Sequence, residues 1–321
     1  MKLIFFKIII IFFLVIFFGA CSITKNLDDN DYILEKNRIS INNKLIQSDS
    51  LNRLIVQEKN NKFFGIPVQS IIYQSAKKNS DSIFNDWEQN DKNRKGLKKF
   101  LSEKQFLQLK NYYRSWNQWK LKNGEPIALI DSLKINQSLI NFKSYFQNIG
   151  YLENEVEFDL SKDNLKEKYA SINYKIETGP QYYIGDVNLL SKSKIIDSIY
   201  NIYLEKSFLK KNEIFKTSNF QRERDRINSL MKNNGIYNFQ INSVFFDVEI
   251  DSTRDVYSLP VKIIIEGDDY RKHNIREIKI INVKNSEEFS EKSFLTNQIE
   301  FGLNESFNDS LRSKTIQNLN N

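Results

Sequence analysis

The sequence predicts an α+β protein built from tandem modules. Each module runs strand, helix, helix, strand, strand, with a three-stranded mixed sheet carrying its helices on one face. Three observations carry this reading. Two stretches of the chain resemble each other at a spacing of about 85–90 residues. Each stretch joins a segment of helical period to two segments of strict alternation. The alternating segments are apolar on one side only, which calls for helices on that side and water on the other.

The first stretch reads SLINFKSYFQNIGYLENEVEFDL, then KYASINYKIETGPQYYIGDV, over residues 138–187; the second covers residues 218–278. Phe142, Tyr145, Phe146 and Ile149 share one helical face, as do Phe220, Ile227, Leu230 and Met231. Ser138 and Ser218 are suited to cap the helix starts, and Gln221 completes a capping-box pattern with Ser218. Each helix stops at a glycine, Gly150 or Gly235, suited to a left-handed C′ position. An alternating strand follows. Val156, Phe158 and Leu160 face away from Glu155, Glu157 and Asp159, and Val244, Phe246, Val248 and Ile250 face away from Phe245, Asp247 and Glu249. A second alternating strand holds Ile172, Tyr174 and Ile176, or Val261, Ile263 and Ile265. It ends at Glu177-Thr178-Gly179-Pro180 or Glu266-Gly267-Asp268, and a short strand at residues 183–189 or 274–280 opens the next unit.

The modules are unequal. The first opens with a strand at residues 36–41, and nearly a hundred residues separate it from the helix at Ser138, too many for a structureless loop. Helices are expected at residues 68–77, 80–88 and 102–121. The last carries Phe106, Leu109, Tyr113, Trp116 and Leu121 at helical spacing, and Tyr112, Trp116 and Trp119 form a stripe whose expected role is core packing. A third copy begins, with Ser293-Phe294-Leu295 matching Ser207-Phe208-Leu209, and its two closing strands do not follow, as if the chain were the N-terminal part of something longer. The expected divisions are a signal peptide at 1–20, a tether at 21–35, a first module at 36–181 with a helical insertion at about 60–125, a second at 182–270 and an incomplete third at 271–321.

Composition points away from catalysis. One cysteine, Cys21, and one histidine, His273, exclude a disulfide framework, cysteine-based zinc and multi-histidine metal sites. His273 follows Asp268 and Asp269 in a polar turn, and no nucleophile elbow, P-loop or dinucleotide fingerprint accompanies it. No catalytic residue, cofactor or metal is expected, although a lipid-anchored periplasmic enzyme stays as a rival reading. Charges are interspersed, as in Arg222-Glu223-Arg224-Asp225-Arg226, and nucleic-acid binding has little support.

The N-terminus decides the compartment. Lys2 and Lys7 precede an apolar run at residues 8–18, short for a membrane span and suited to a secretory signal. Gly19-Ala20 then precede Cys21, which resembles the lipobox of bacterial lipoproteins; Phe18 departs from the usual leucine. The resemblance implies cleavage between Ala20 and Cys21 and acylation of Cys21 (palmitate among the acyl chains), and cleavage lowers the net charge from +7 to +5.

The helix–glycine–aromatic corners (Gly150-Tyr151, Gly235-Ile236-Tyr237), the strand pairs and the strand ends resemble POTRA domains, the polypeptide-transport-associated modules of outer-membrane assembly proteins. The lipobox, the opening CSITKNLDDNDYILEKNRISIN and the segment GIPVQSIIYQSAKKNSDSIFNDW narrow the resemblance to the translocation and assembly module lipoproteins of the TamL/BamA-like family, over residues 21–321. Those proteins continue into a β-barrel that this sequence does not include. The resemblance implies a non-enzymatic outer-membrane lipoprotein whose modules lie in the periplasm. They would bind a TamB/AsmA-like periplasmic protein and unfolded outer-membrane proteins by β-augmentation. The expected edges carry Glu155, Val156, Glu157 and Phe158, and Val244, Phe245 and Phe246; the outward Phe245 is the leading contact, and the acidic positions equally suit protection against aggregation. A surface-exposed or periplasmic ligand-binding lipoprotein is the alternative.

Overall fold

The computed structural model describes residues 24, 27–90, 96, 100–250, 257–279 and 295–320. Cys21 and the Ala20–Cys21 cleavage point lie outside them. The protein is α+β, with mixed sheets, and divides into two compact units, Met1–Lys143 with Glu155–Glu177, and Ser144–Asn154 with Thr178–Asn321.

The first unit contains β1 (Ile33–Ile41), β2 (Lys44–Ile46), α1 (Val68–Gln74), α2 (Ser80–Gln89), α3 (Glu103–Asn123), most of α4 (Ser132–Asn148), β3 (Glu155–Lys162) and β4 (Tyr169–Glu177). Its sheet has the order β2-β1-β4-β3, with β1 parallel and β3 antiparallel to β4. Ala170, Ile172, Tyr174 and Ile176 alternate along β4 and are fully buried, as are Ile39, Ile135 and Phe142, whose ring packs on Tyr174 at 5.3 Å. β1 starts at Ile33, ahead of the expected Lys36, because Ile33 and Leu34 are buried too.

Two expectations are corrected here. The sheet has four strands, not three. Asn42 and Asn43 take φ of 47° and 63° and fold the chain back in a two-residue turn, pairing Ile41 with Lys44; paired positive φ is what a right-twisted hairpin needs, and asparagine tolerates it. Ser138 does not cap α4, which starts two turns earlier at Ser132, where Asp131 accepts the Leu133 N–H at 2.9 Å. Ser138 is buried inside the helix, donating to the Lys134 carbonyl (2.8 Å) and accepting from the Val56 N–H (2.9 Å).

The insertion is a small helical layer. Phe84 is buried among Trp87, Phe106 and Tyr113 at centroid distances of 5.4, 5.7 and 5.7 Å. Asn117 is buried beside them, accepting from the Lys77 N–H and donating to the Tyr113 carbonyl, both at 2.8 Å. Ser102 and Gln105 form the capping box that starts α3. The stripe Tyr112, Trp116 and Trp119 is not core: these side chains are 73%, 56% and 45% exposed. Phe106, Tyr113 and Asn117 occupy the buried face instead.

The second unit holds β5 (Tyr183–Ser191), α5 (Lys194–Ile202), α6 (Thr217–Asn233), β6 (Val244–Val248), β7 (Ser258–Ile265) and α7 (Asp309–Asn320). Its sheet order is β5-β7-β6, with β5 parallel and β6 antiparallel to β7. One core joins Ile184, Ile196, Ile199, Ile227, Met231, Val261 and Ile263 across helices and sheet. α6 begins at Thr217, and Ser218 caps nothing; Gln221 bonds to Asp225 and Arg224 in its own helix. Residues 274–279 do not form the expected strand. In both sheets the opening strand is held by the closing one. No closing strand stands beside residues 274–279 among the described residues, and Ile275 exchanges backbone bonds with Asn304 and Glu305 instead.

Inside this core lies a charged network. Glu223, fully buried, binds Arg226 through two bonds of 2.6 and 2.9 Å, accepts the Phe208 N–H at 2.9 Å and takes the Tyr200 hydroxyl at 3.3 Å. Burial, then the Glu223 charge, push Tyr200 up to about 12, and burial plus its bond to Glu153 push Tyr182 up to about 12. Unfolded tyrosine ionises near pH 10. The stabilisation is therefore complete below about pH 10 and lost as pH rises to about 12, because only the unfolded chain gains from ionising in that window. Denaturant midpoints recorded between about pH 9 and about pH 11, beside a tyrosinate absorbance titration, are expected to fall together with two late-titrating tyrosines. A flat midpoint refutes this.

Candidate strand-binding edges

β3 and β6 each end their sheet, and register fixes which backbone groups they leave free. Glu249 N–H bonds the Pro260 carbonyl and Glu266 N–H bonds the Ser243 carbonyl. With Phe245 opposite Ile264 and Asp247 opposite Lys262, alternation turns the N–H and C=O of Val244, Phe246 and Val248 outward. In β3 the Asp163 N–H bonds the Tyr169 carbonyl, just past the Lys162–Ala170 pair. The same parity turns out the backbone of Val156, Phe158, Leu160 and Lys162. One outward acceptor of β6 is already engaged, since Arg224 Nε donates to the Val244 carbonyl at 3.2 Å.

The opposite margins are partly covered. β1 is lined by the three-residue β2, and Leu34 N–H bonds the Ala128 carbonyl. At the start of β5, Ile184 exchanges bonds with Asn212 and Glu213 while Phe215 N–H bonds the Tyr182 carbonyl. Short or covered edges resist uncontrolled pairing. β3 and β6 are left open along their whole length.

The two edges carry different side chains. Glu155, Glu157 and Asp159 are exposed on the solvent face of the first sheet, and Lys175 pairs with Asp159. Val156 and Phe158 are half-buried on the core face. On β6, Val244 is buried, and Phe246 packs edge-on against Phe220 at 5.3 Å with the Arg224 guanidinium 5.3 Å over its ring. Phe245 is 44% exposed on the outer face. It lies in register with Ile264 and Leu190, making an apolar row across all three strands. The same row of the first sheet is Glu157, Lys175 and Ser40. Cross-strand neighbours of this kind interact directly, so one module shows a polar row where the other shows an apolar one. The row went unnoticed in sequence because Leu190 and Ile264 each sit beside inward apolar residues; only register joins them to Phe245.

His273 is exposed, 6.1 Å from the Tyr237 ring, and its backbone holds Gly235 and Phe307. Asp269 is engaged by Arg271 at 2.8 Å. Among the described residues no group of three or more His, Cys, Asp or Glu side chains is placed to hold a metal.

The fold is a pair of α+β units, each with an antiparallel strand open at one edge of its sheet. No protein-family model matches the sequence, and no curated protein matches it. Among solved structures it is similar to POTRA domains 3–5 of BamA from Haemophilus influenzae, at 11% identity over 92% of this chain and 88% of that one, with a TM-score of 0.36. It is also similar to the N-terminal domain of Omp85 from the cyanobacterium Thermosynechococcus elongatus (10% identity, 61% of this chain and 74% of that one, TM-score 0.25). A third is POTRA domains 1–3 of the periplasmic domain of Omp85 from Anabaena (9% identity, 61% and 73%, TM-score 0.25).

Proposed function

We propose that this chain is a non-enzymatic lipoprotein of the outer-membrane assembly machinery. Its POTRA-like modules take up extended segments of partner and client proteins as added strands on β3 and β6. The observation that carries the reading is the repeated strand order, which puts the same strand of each module at an open edge with alternate backbone groups turned out. Main-chain bonds then supply affinity with little demand on sequence, which suits a binder of many barrel precursors. Cys21 acylation and a periplasmic position follow from the lipobox resemblance. The partners are unfolded outer-membrane proteins and a TamB/AsmA-like protein.

A photo-crosslinking residue at Glu157 or Phe245 tests this. It captures barrel precursors in cells, and Phe158→Pro or Val248→Pro weakens capture at the matching site about fivefold to tenfold, the worth of one lost backbone bond. Proline is tolerated where the N–H faces away from the ladder of an edge strand. Capture that is absent, or indifferent to both prolines, overturns the proposal.

A further inference from the structure

The outer face of the second sheet carries one apolar level between polar ones. Phe245, Ile264 and Leu190 lie in register, and both ends of the row are exposed. The level two residues along β6 is ionic. There Asp247, Lys262 and Asn188 are in register, and Lys262 pairs with Glu249 and, at 4.0 Å, with Asp247. On the other side Glu266, two residues beyond Ile264, is exposed on the same face. The apolar stripe is thus one row wide and runs across the strands to the open edge. A partner laid flat on this face would cover the charges beside the stripe and strip their water. A strand added in the plane of the sheet prolongs the stripe and leaves those charges solvated.

We infer that β6 selects its guest and that Phe245 does the selecting: the edge takes extended segments that place an aromatic or β-branched residue beside Phe245. The inference rests on the strand-addition reading and gives β6 a specificity that β3 lacks. Arg224 Nε already holds the Val244 carbonyl, so an antiparallel guest seats its backbone on Phe246 and Val248. Phe245 and Asp247 then fall at non-hydrogen-bonded positions, where facing side chains come closest. Because the guest runs the other way, it meets Asp247 first and Phe245 two residues later. In its own chain direction the favoured guest reads polar, any residue, then aromatic or β-branched. Apolar pairs facing each other across strands strengthen pairing by about twofold to fivefold in affinity. At the matching levels β3 presents Glu157 and Asp159, and an aromatic guest residue finds no apolar neighbour there.

The test uses the full chain and two fluorescein-labelled peptides, Lys-Val-Thr-Val-X-Val-Thr-Val-Lys with X as Phe or Thr, followed by anisotropy. In the Phe158→Pro variant, which keeps β6 open, the Phe peptide is expected to bind about threefold to fivefold tighter than the Thr peptide. Phe245→Thr in that background, a change on the solvent face, is expected to erase the difference. In Val248→Pro, which keeps β3 open, the two peptides are expected to bind within about twofold of each other. Equal binding of the two peptides at β6, a preference that survives Phe245→Thr, or the same preference through β3 overturns the inference and leaves strand addition standing. Absence of binding by either peptide to the wild-type chain overturns both.

Discussion

Glu223→Leu is expected to destabilise the second unit by about 3–5 kcal/mol, the cost of leaving a buried partner charge uncompensated. The carboxylate is fully buried and serves four donors: two from Arg226, the Phe208 N–H and the Tyr200 hydroxyl. Its removal strands a guanidinium whose side chain is only 12% exposed. Replacing both charges, as Glu223→Leu with Arg226→Met, is expected to recover most of the loss, since apolar groups of similar volume often substitute for a buried pair at little cost. The double-mutant cycle gives the coupling directly from denaturant midpoints. Equal midpoints for wild type and Glu223→Leu would sink the argument that this network holds α5, α6 and the Phe208 segment together.

Gly150→Ala is expected to cost about 2–4 kcal/mol, well above Gly235→Ala at about 1 kcal/mol. Both glycines close a helix with left-handed backbone, φ 97° and 95°. Their surroundings differ. A Cβ on Gly150 meets the Phe215 carbonyl oxygen at 2.9 Å and the Tyr182 carbonyl oxygen at 3.2 Å, whereas on Gly235 it meets the Lys272 side chain at 3.3 Å. Backbone oxygens cannot step aside without moving the chain, and the Tyr182 oxygen is also held by the Phe215 N–H at 2.9 Å, whereas a lysine stem can give. Thermal midpoints of the two variants read the difference, and equal shifts would refute it.

Much of the module was legible because strand and helix periods differ so sharply. Val261, Ile263 and Ile265 alternate cleanly, and the two corner glycines mark where each helix must stop. The α3 face was misread for a definite reason. Periodicity says which residues share a face, not which face is buried. Phe106, Tyr113 and Asn117 are spaced as well as Tyr112, Trp116 and Trp119, and the buried set contains the asparagine that satisfies Lys77 N–H. β2 carried a readable signal in Asn42-Asn43, a dipeptide that favours the paired positive φ of a tight hairpin. Ser138 looked like a cap because hydroxyls favour helix starts, yet its partner is the Val56 N–H, 82 residues away in sequence. The open edges divide similarly. Alternation within β3 and β6 named their faces, but which N–H groups point outward depends on pairings such as Glu249 with Pro260 and Asp163 with Tyr169, and no single strand encodes those.

The covered margin beside β1 also sets how far association can go. A ribbon with two long free borders admits neighbours without end, which is how fibrils grow. A ribbon with one is saturated by a single guest. The first module is therefore a terminator: β3 accepts one strand, and the opposite margin, covered at Leu34 and along Ile39–Ile41, offers no comparably long border for a further copy to lengthen the stack. Such one-sidedness limits pairing by itself, because occupancy of the single long edge leaves none for the next strand.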